Sequence, residues 1–157
     1  MDMRVGIGFD VHPLRQKRKL ILGGVKIPYA LGLEGYSDAD VLVHSIIDAL
    51  LGAASAGDIG RHFPNKPEYR GISSLLLLKK VRSLLLKKHF RVNNVDATLI
   101  AEAPVLVPFL NKMGENIAEA LKVKRLSVNV KATTAKKIGF IGKGRAIACI
   151  AIASLRG

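Results

Sequence analysis

The chain has one cysteine and no tryptophan. Cys149, alone in an apolar run, argues against a disulfide framework and a cysteine metal cluster, and reads as a small core residue. Acids are scarce too: 12 Asp plus Glu stand against 25 Lys plus Arg, a formal charge of +13. That excess favours anionic partners, nucleic acid or phosphorylated small molecules among them. Nucleic acid is disfavoured by what else is missing. The basic residues fall into separate stretches, the few aromatics are not interleaved with lysines as base-stacking platforms are, and no zinc-finger spacing or RNA-binding sheet motif occurs. Leu75–Leu86 is the nearest approach to a membrane span, and Lys79, Lys80 and Arg82 interrupt it. The N-terminus lacks the basic-then-apolar shape of a secretion signal, so a cytoplasmic chain is expected. No serial repeat is evident, and residues 1–157 suit one domain with a full apolar core.

Residues 4–12 alternate as a half-buried strand does, and Pro13, lacking a backbone donor, is expected to end its pairing. A basic loop, Arg15–Lys19, leads to a hairpin, Leu20–Leu22 and Val25–Pro28, turned by Gly23-Gly24. Tyr29–Tyr36 reads as loop. Ser37 or Asp38 caps a predicted helix running through Val41, Ile46 and Leu50 to about Ala56, where Gly57-Asp58-Ile59-Gly60 stops it. A second helix is predicted over Leu75–Lys88, a strand over Val92–Glu102, a third helix over Phe109–Leu121 and a strand over Leu126–Lys131. Residues 132–145 form a loop rich in Thr, Gly and Lys with room for one helical turn. Ala146–Leu155 is apolar almost throughout and reads as a strand buried on both faces. This order predicts an α/β two-layer sandwich, a mixed sheet with helices on one face and a partner subunit on the other.

Asp10 and His12 sit two apart on the first strand and share a face; His44 lies on the first predicted helix. One carboxylate and two imidazoles form a donor set that zinc accepts while a fourth position stays free for a reacting group. The alternatives are a His12 that caps a strand with a satisfied core His44, or an acid–base relay without metal. His62 is left out of the set because a fourth protein ligand would close it, and His89 reads as a surface residue. Asp40, four residues before His44, is expected to orient an imidazole or hold a substrate hydroxyl. Asp58 reads either as a binder of polyol hydroxyls or as a turn former. Lys131–Lys137 with Gly139–Gly144 offers hydroxyl, N–H and ammonium donors for phosphate oxygens, or else a solvated turn; the Walker order is absent.

Phe9-Asp10-Val11-His12, Leu22-Gly23-Gly24-Val25, Ser37-Asp38-Ala39-Asp40-Val41-Leu42-Val43-His44, Asp48–Ala54, Gly57-Asp58-Ile59-Gly60, Phe63-Pro64, Ala103-Pro104 and Lys131-Ala132-Thr133-Thr134 occur in that order. Together they resemble the 2-C-methyl-D-erythritol 2,4-cyclodiphosphate synthase family over nearly the whole chain. The resemblance implies a homotrimer joined through its sheets, with active sites shared between neighbours and no nucleic-acid or membrane partner. It implies cyclisation of 4-diphosphocytidyl-2-C-methyl-D-erythritol 2-phosphate with release of CMP. It places zinc on Asp10, His12 and His44, methylerythritol hydroxyls on Asp58 beside Ile59 and Gly60, and the terminal phosphate near Ser37 and Tyr36. Cytosine would lie along Ala101, Ala103, Pro104, Val105, Leu106 and Val107, largely on backbone groups. Ribose and diphosphate would meet Ala132, Thr133 and Thr134, with Phe140 and Lys143 near them and Thr134 and Lys136 closest to the reaction.

Three positions depart from the family's pattern. Lys136 stands where a glutamate usually holds a second ion, magnesium or manganese, and its ammonium is expected to replace part of that charge. Tyr36 replaces a histidine. Arg145 replaces an acid near the trimer axis, where three cations would repel without an anion between them. A scaffold that keeps phosphate or isoprenoid-diphosphate binding but has lost turnover is the competing expectation.

Overall fold

The alternating N-terminal run forms β1 (Met3–Arg15), and the computed structural model describes residues 3–157. β2 (Leu20–Leu22) and β3 (Val25–Ile27) make the short hairpin. Its turn needs glycine, because Gly23 and Gly24 sit at φ +57° and +71°. The remaining strands and α-helices are β4 (Gly32–Leu33), α1 (Val41–Ala53), the single turn α2 (Ile59–His62), α3 (Ser74–Lys87), β5 (Arg91–Ile100), α4 (Leu110–Leu121), β6 (Val128–Thr133), the short α5 (Gly139–Gly142) and β7 (Ala146–Arg156). Five strands form one mixed sheet in the order β4-β1-β7-β5-β6, with β5 and β6 parallel and the other pairs antiparallel.

Helix α1 lies on the inner sheet face, very close to β1. A Cβ added at Gly6 would stand 2.1 Å from the Ala49 carbonyl oxygen, and one at Gly8 1.9 Å from that of Ser45. The two glycines therefore set how near the helix comes to the strand. Leu42, Ile46, Ile47 and Leu50 of α1 join Leu78 and Leu85 of α3 and Met113 of α4 over Leu99, Cys149 and Ala151 of the sheet. Burial pushes the Cys149 thiol up to about 12, as an inert core residue requires.

Several expectations change in the folded chain. Pro13 does not end β1: it pairs with Ala146 at the end of the β7 ladder, and its carbonyl accepts from Glu34 N–H at 3.0 Å. Part of the Tyr29–Tyr36 segment forms β4 on the edge of β1. The cap of α1 is Asp40, not Ser37 or Asp38. Its fully buried carboxylate accepts from Val43 N–H at 3.1 Å, Gly23 N–H at 3.0 Å and Gly24 N–H at 2.8 Å, which ties the β2–β3 turn to the helix. Burial and the neighbouring Asp38 charge push its pKa up to about 6 against those three donors. Asp40 thus faces away from His44 and orients neither an imidazole nor a substrate. β7, read as buried on both faces, is covered within this chain on the helix side and, on the other, at Ala146, Ala148 and Ser154. Ile150 and Ile152 are exposed on the helix-free face with Val5, Ile7 and Phe9 of β1.

Candidate active site

The end of β1 and the first turn of α1 bring three chemical groups together. Asp10 Oδ2 lies 2.9 Å from His12 Nε2 and 3.2 Å from His44 Nδ1, and one donor atom from each residue falls within 4.8 Å of the other two. The period of two on β1 aims Asp10 and His12 the same way, while Asp40 starts α1 so that His44 is its fourth residue.

The outer nitrogens of both imidazoles are already engaged. His12 Nδ1 is 2.6 Å from the Glu34 carbonyl, which only accepts, so Nδ1 carries the hydrogen. His44 Nε2 is 2.8 Å from Ser74 Oγ and 3.1 Å from Ser37 Oγ. Ser74 donates its hydroxyl hydrogen to Asp38, whose other oxygen accepts from Ser74 N–H at 2.9 Å, so Ser74 Oγ is left to accept from His44. The inner nitrogens of His12 and His44 therefore turn their lone pairs toward the Asp10 carboxylate. Three acceptors facing one another need a proton or a cation among them, and the donor set fits a divalent transition ion.

A proton between the groups shows the same demand for positive charge. Burial opposes ionisation of Asp10, but the hydrogen bonds and charges of His12 and His44 in their protonated forms outweigh it and bring its pKa down to about 2. For His12, burial opposes protonation while Asp10 favours it, and the net shift is upward. With Asp38 and Ser74 holding His44, Ser74→Ala is expected to weaken divalent-metal binding about tenfold, at the low end for loss of an outer partner, with little change in melting temperature. Competition with a chromogenic chelator measures it, and unchanged affinity would sink that role.

A cleft of about 250 Å³ opens beside the triad, lined by Tyr36, Ser37, Ile59, Gly60, Phe63, Asn65, Tyr69 and Leu77 as well as by Asp10, His12 and His44. Asp58 caps α2 by accepting from Arg61 N–H at 2.9 Å through one oxygen. Asp48 accepts from Ile59 N–H at 2.7 Å and so fixes that turn at the cleft. Sequence reasoning missed Asp48, Ser74, Asn65 and Tyr69. Asp48 alone had a signal, being four residues past His44 on one helix face.

The second set of expected residues lies elsewhere. Ala101 N–H donates to the Thr133 carbonyl at 3.0 Å, and Ala135 N–H to Glu102 Oε2 at 3.2 Å, gathering these segments at the ends of β5 and β6. None of Ala101–Val107, Ala132–Thr134, Lys136, Phe140 or Lys143 lines the cleft. The ladder Val11–Ala148–Ile100–Thr133 puts the two groups at one level of the sheet, with Ile100 two strand spacings (about 10 Å) and Thr133 three (about 14 Å) from Val11. Lys136 and Lys137 are exposed and both hold positive φ, 52° and 62°.

The sequence pattern of the YgbB family matches residues 3–156. A 2-C-methyl-D-erythritol 2,4-cyclodiphosphate synthase of Desulforamulus reducens is 57% identical over 155 residues, covering 98% of this chain and 99% of that protein. The bifunctional IspDF structure from Campylobacter jejuni superposes with a TM-score of 0.94 at 39% identity, over 98% of this chain and 42% of that longer one. IspF of Plasmodium falciparum, solved as a CDP complex, gives 0.86 at 35% identity, over 98% of this chain and 95% of that one.

Proposed function

Because the chain belongs to the YgbB family, we propose that it converts 4-diphosphocytidyl-2-C-methyl-D-erythritol 2-phosphate to the 2,4-cyclodiphosphate and CMP. The observation that carries this reading is the convergence of Asp10, His12 and His44, inner lone pairs facing one carboxylate, at the edge of an open cleft. An oxygen of the 2-phosphate forms a bond to the β-phosphorus, and the bond from that phosphorus to the bridging oxygen breaks, so CMP leaves with that oxygen. Nucleophile and electrophile are tethered, so positioning and charge neutralisation dominate the catalytic task. Zinc held by Asp10, His12 and His44 would supply positive charge to a phosphoryl oxygen there.

The chain's own residues do the rest. Ser37 and Tyr36 present hydroxyls at the cleft for the terminal phosphate, and the carboxylate oxygen of Asp58 not used in capping α2 suits a methylerythritol hydroxyl. Backbone groups of Ala101–Val107 suit cytosine, since the side chain of Leu106 is buried in the core. Ala132, Thr133 and Thr134 are exposed and suit the ribose and diphosphate, with Lys143 and Phe140 beyond them. Within one chain these groups stand apart from the triad, so a homotrimer joined through the apolar outer sheet face would let a neighbour complete each site. Lys136 would hold diphosphate charge where a second magnesium or manganese ion would otherwise sit.

The deciding assay follows CMP and cyclic diphosphate on the chelated chain, then with zinc and with magnesium added. Equal amounts of both products, lost on chelation and restored by zinc, are expected. Substrate binding with no CMP would point instead to a scaffold without turnover. Lys136→Glu is expected to make turnover more dependent on magnesium, shifting the half-maximal magnesium concentration down about tenfold; an unmoved titration would reject the charge-replacement role of Lys136.

A further inference from the structure

A second cavity, about 400 Å³, lies where α3, α4 and the start of β5 meet, and it shares no residue with the cleft at Asp10. It borders the first residues of β5, whereas the substrate-facing segments follow the last ones. The ten residues of that strand put about 30 Å between the two places. Five cations line it: Arg82, Arg91, Lys122, Lys124 and Arg156. No acid does, and among the described residues none of the five forms an ion pair. Arg82 Nε donates to the Leu121 carbonyl at 3.0 Å, which spends part of one cation on the end of α4. The C-termini of α3 and α4 add about half a negative charge each, far short of five positive ones.

The walls are two-natured. Leu85, Val92 and Leu121 are buried beneath the opening, with Leu86, Phe90 and Val123 partly exposed around it. Asn93 is the extra residue of a bulge, between the pairs Val92–Leu155 and Asn94–Ser154. β6 pairs with β5 only from Val95 onward, so that side of the Arg91–Asn94 main chain has no strand partner. Guanidinium forks and free backbone donors over an apolar floor match a head with two or more negative charges and a short hydrocarbon body.

We propose that this cavity is a binding site for a phosphorylated small molecule whose apolar part rests on Leu85, Val92 and Leu121. The volume suits a phosphate or diphosphate head with a body of a few carbons, and the separation from the cleft means that such a ligand does not compete with substrate.

Hexyl phosphate titrated into the ¹⁵N-labelled, zinc-loaded full chain tests this. Saturable amide shifts are expected at Asn93 and Lys122–Lys124, with none at Ala101–Val107. Exchanging Arg91 and Lys124 together for glutamate, both exposed and outside the catalytic cleft, is expected to weaken binding at least about tenfold while CMP release without hexyl phosphate stays the same. Inorganic phosphate, a head with no body, is expected to bind about tenfold more weakly than hexyl phosphate. If the double reversal disturbs the spectrum elsewhere, Arg91→Gln alone is expected to cost about threefold. Shifts confined to the catalytic cleft, an affinity indifferent to these substitutions, or inorganic phosphate binding as well as its hexyl ester would each overturn the proposal.

Discussion

His44→Ala is expected to yield a folded chain that retains far less than one metal ion per chain and releases CMP about a thousandfold more slowly, or worse. The size of the effect follows from what His44 touches. Its inner nitrogen is one of three donors, and its outer nitrogen is held by Ser74 and Ser37, so no neighbour can rotate in to replace it. Alanine leaves Asp10 facing His12 alone, two donors where the ion needs three. The imidazole is 12% exposed and stands at the start of α1, outside the packed leucine core, so melting should shift by only a few degrees. His62→Ala is the matched control. Its ring Nε2 donates to the Ala56 carbonyl at 2.7 Å rather than joining the triad, and both metal content and turnover should stay near the parent. Metal analysis after dialysis and chromatographic quantitation of CMP decide the matter. A His44→Ala chain with full zinc and a rate within tenfold of the parent would remove the metal centre from the mechanism.

If the chain assembles through this face as proposed, Ile7→Glu is expected to leave single chains of 16.9 kDa and to abolish turnover while the triad still binds its metal ion. Ile7 is 69% exposed in the single chain and sits between Val5 and Phe9 on the helix-free sheet face, beside Ile150 and Ile152 of β7. A contiguous apolar face of this kind is costly in water and suits association. A carboxylate there would be desolvated on assembly, and threefold symmetry would bring three of them near one axis. The substitution points away from Ser45 and Ala49, where α1 rests on the glycines either side of Ile7, so the fold itself should survive. Activity should vanish with the assembly, because the segment suited to diphosphate stands about 14 Å, and the one suited to cytosine about 10 Å, from the triad in one chain. Sedimentation equilibrium gives the mass and the CMP assay the consequence. An active monomer would show that one chain makes a complete site.

What can be read from local order survives folding well. Strand β1, the Gly23-Gly24 turn, α1, α3, α4 and β7 follow from apolar spacing and from glycine and proline placement, since period and cap are properties of a few neighbouring residues. The carboxylate–imidazole trio was also legible, because Asp10 and His12 share a strand face whatever surrounds them and zinc chemistry narrows the choice of donors. Asp40 shows the limit. Its spacing to His44 suggests a helix-face partnership, yet a cap residue lies outside the helix, and its carboxylate turned to the buried amides of Gly23 and Gly24 instead. Pro13 likewise stayed in register, because β1 was held by its neighbours on the β7 ladder and did not need that one donor.

The amino-acid order alone determined the apolar periods, the shortage of acids and the identity of three metal-type donors, all set by chemistry along the chain. Only the tertiary structure decided that Ser74 and Asp38 orient His44, that the phosphate-type donors of β6 stand apart from the triad, and that five cations share an acid-free cavity at the far end of β5. Those outcomes depend on strand register and helix approach, which are fixed by packing between residues tens of positions apart and leave no mark on any short stretch of sequence.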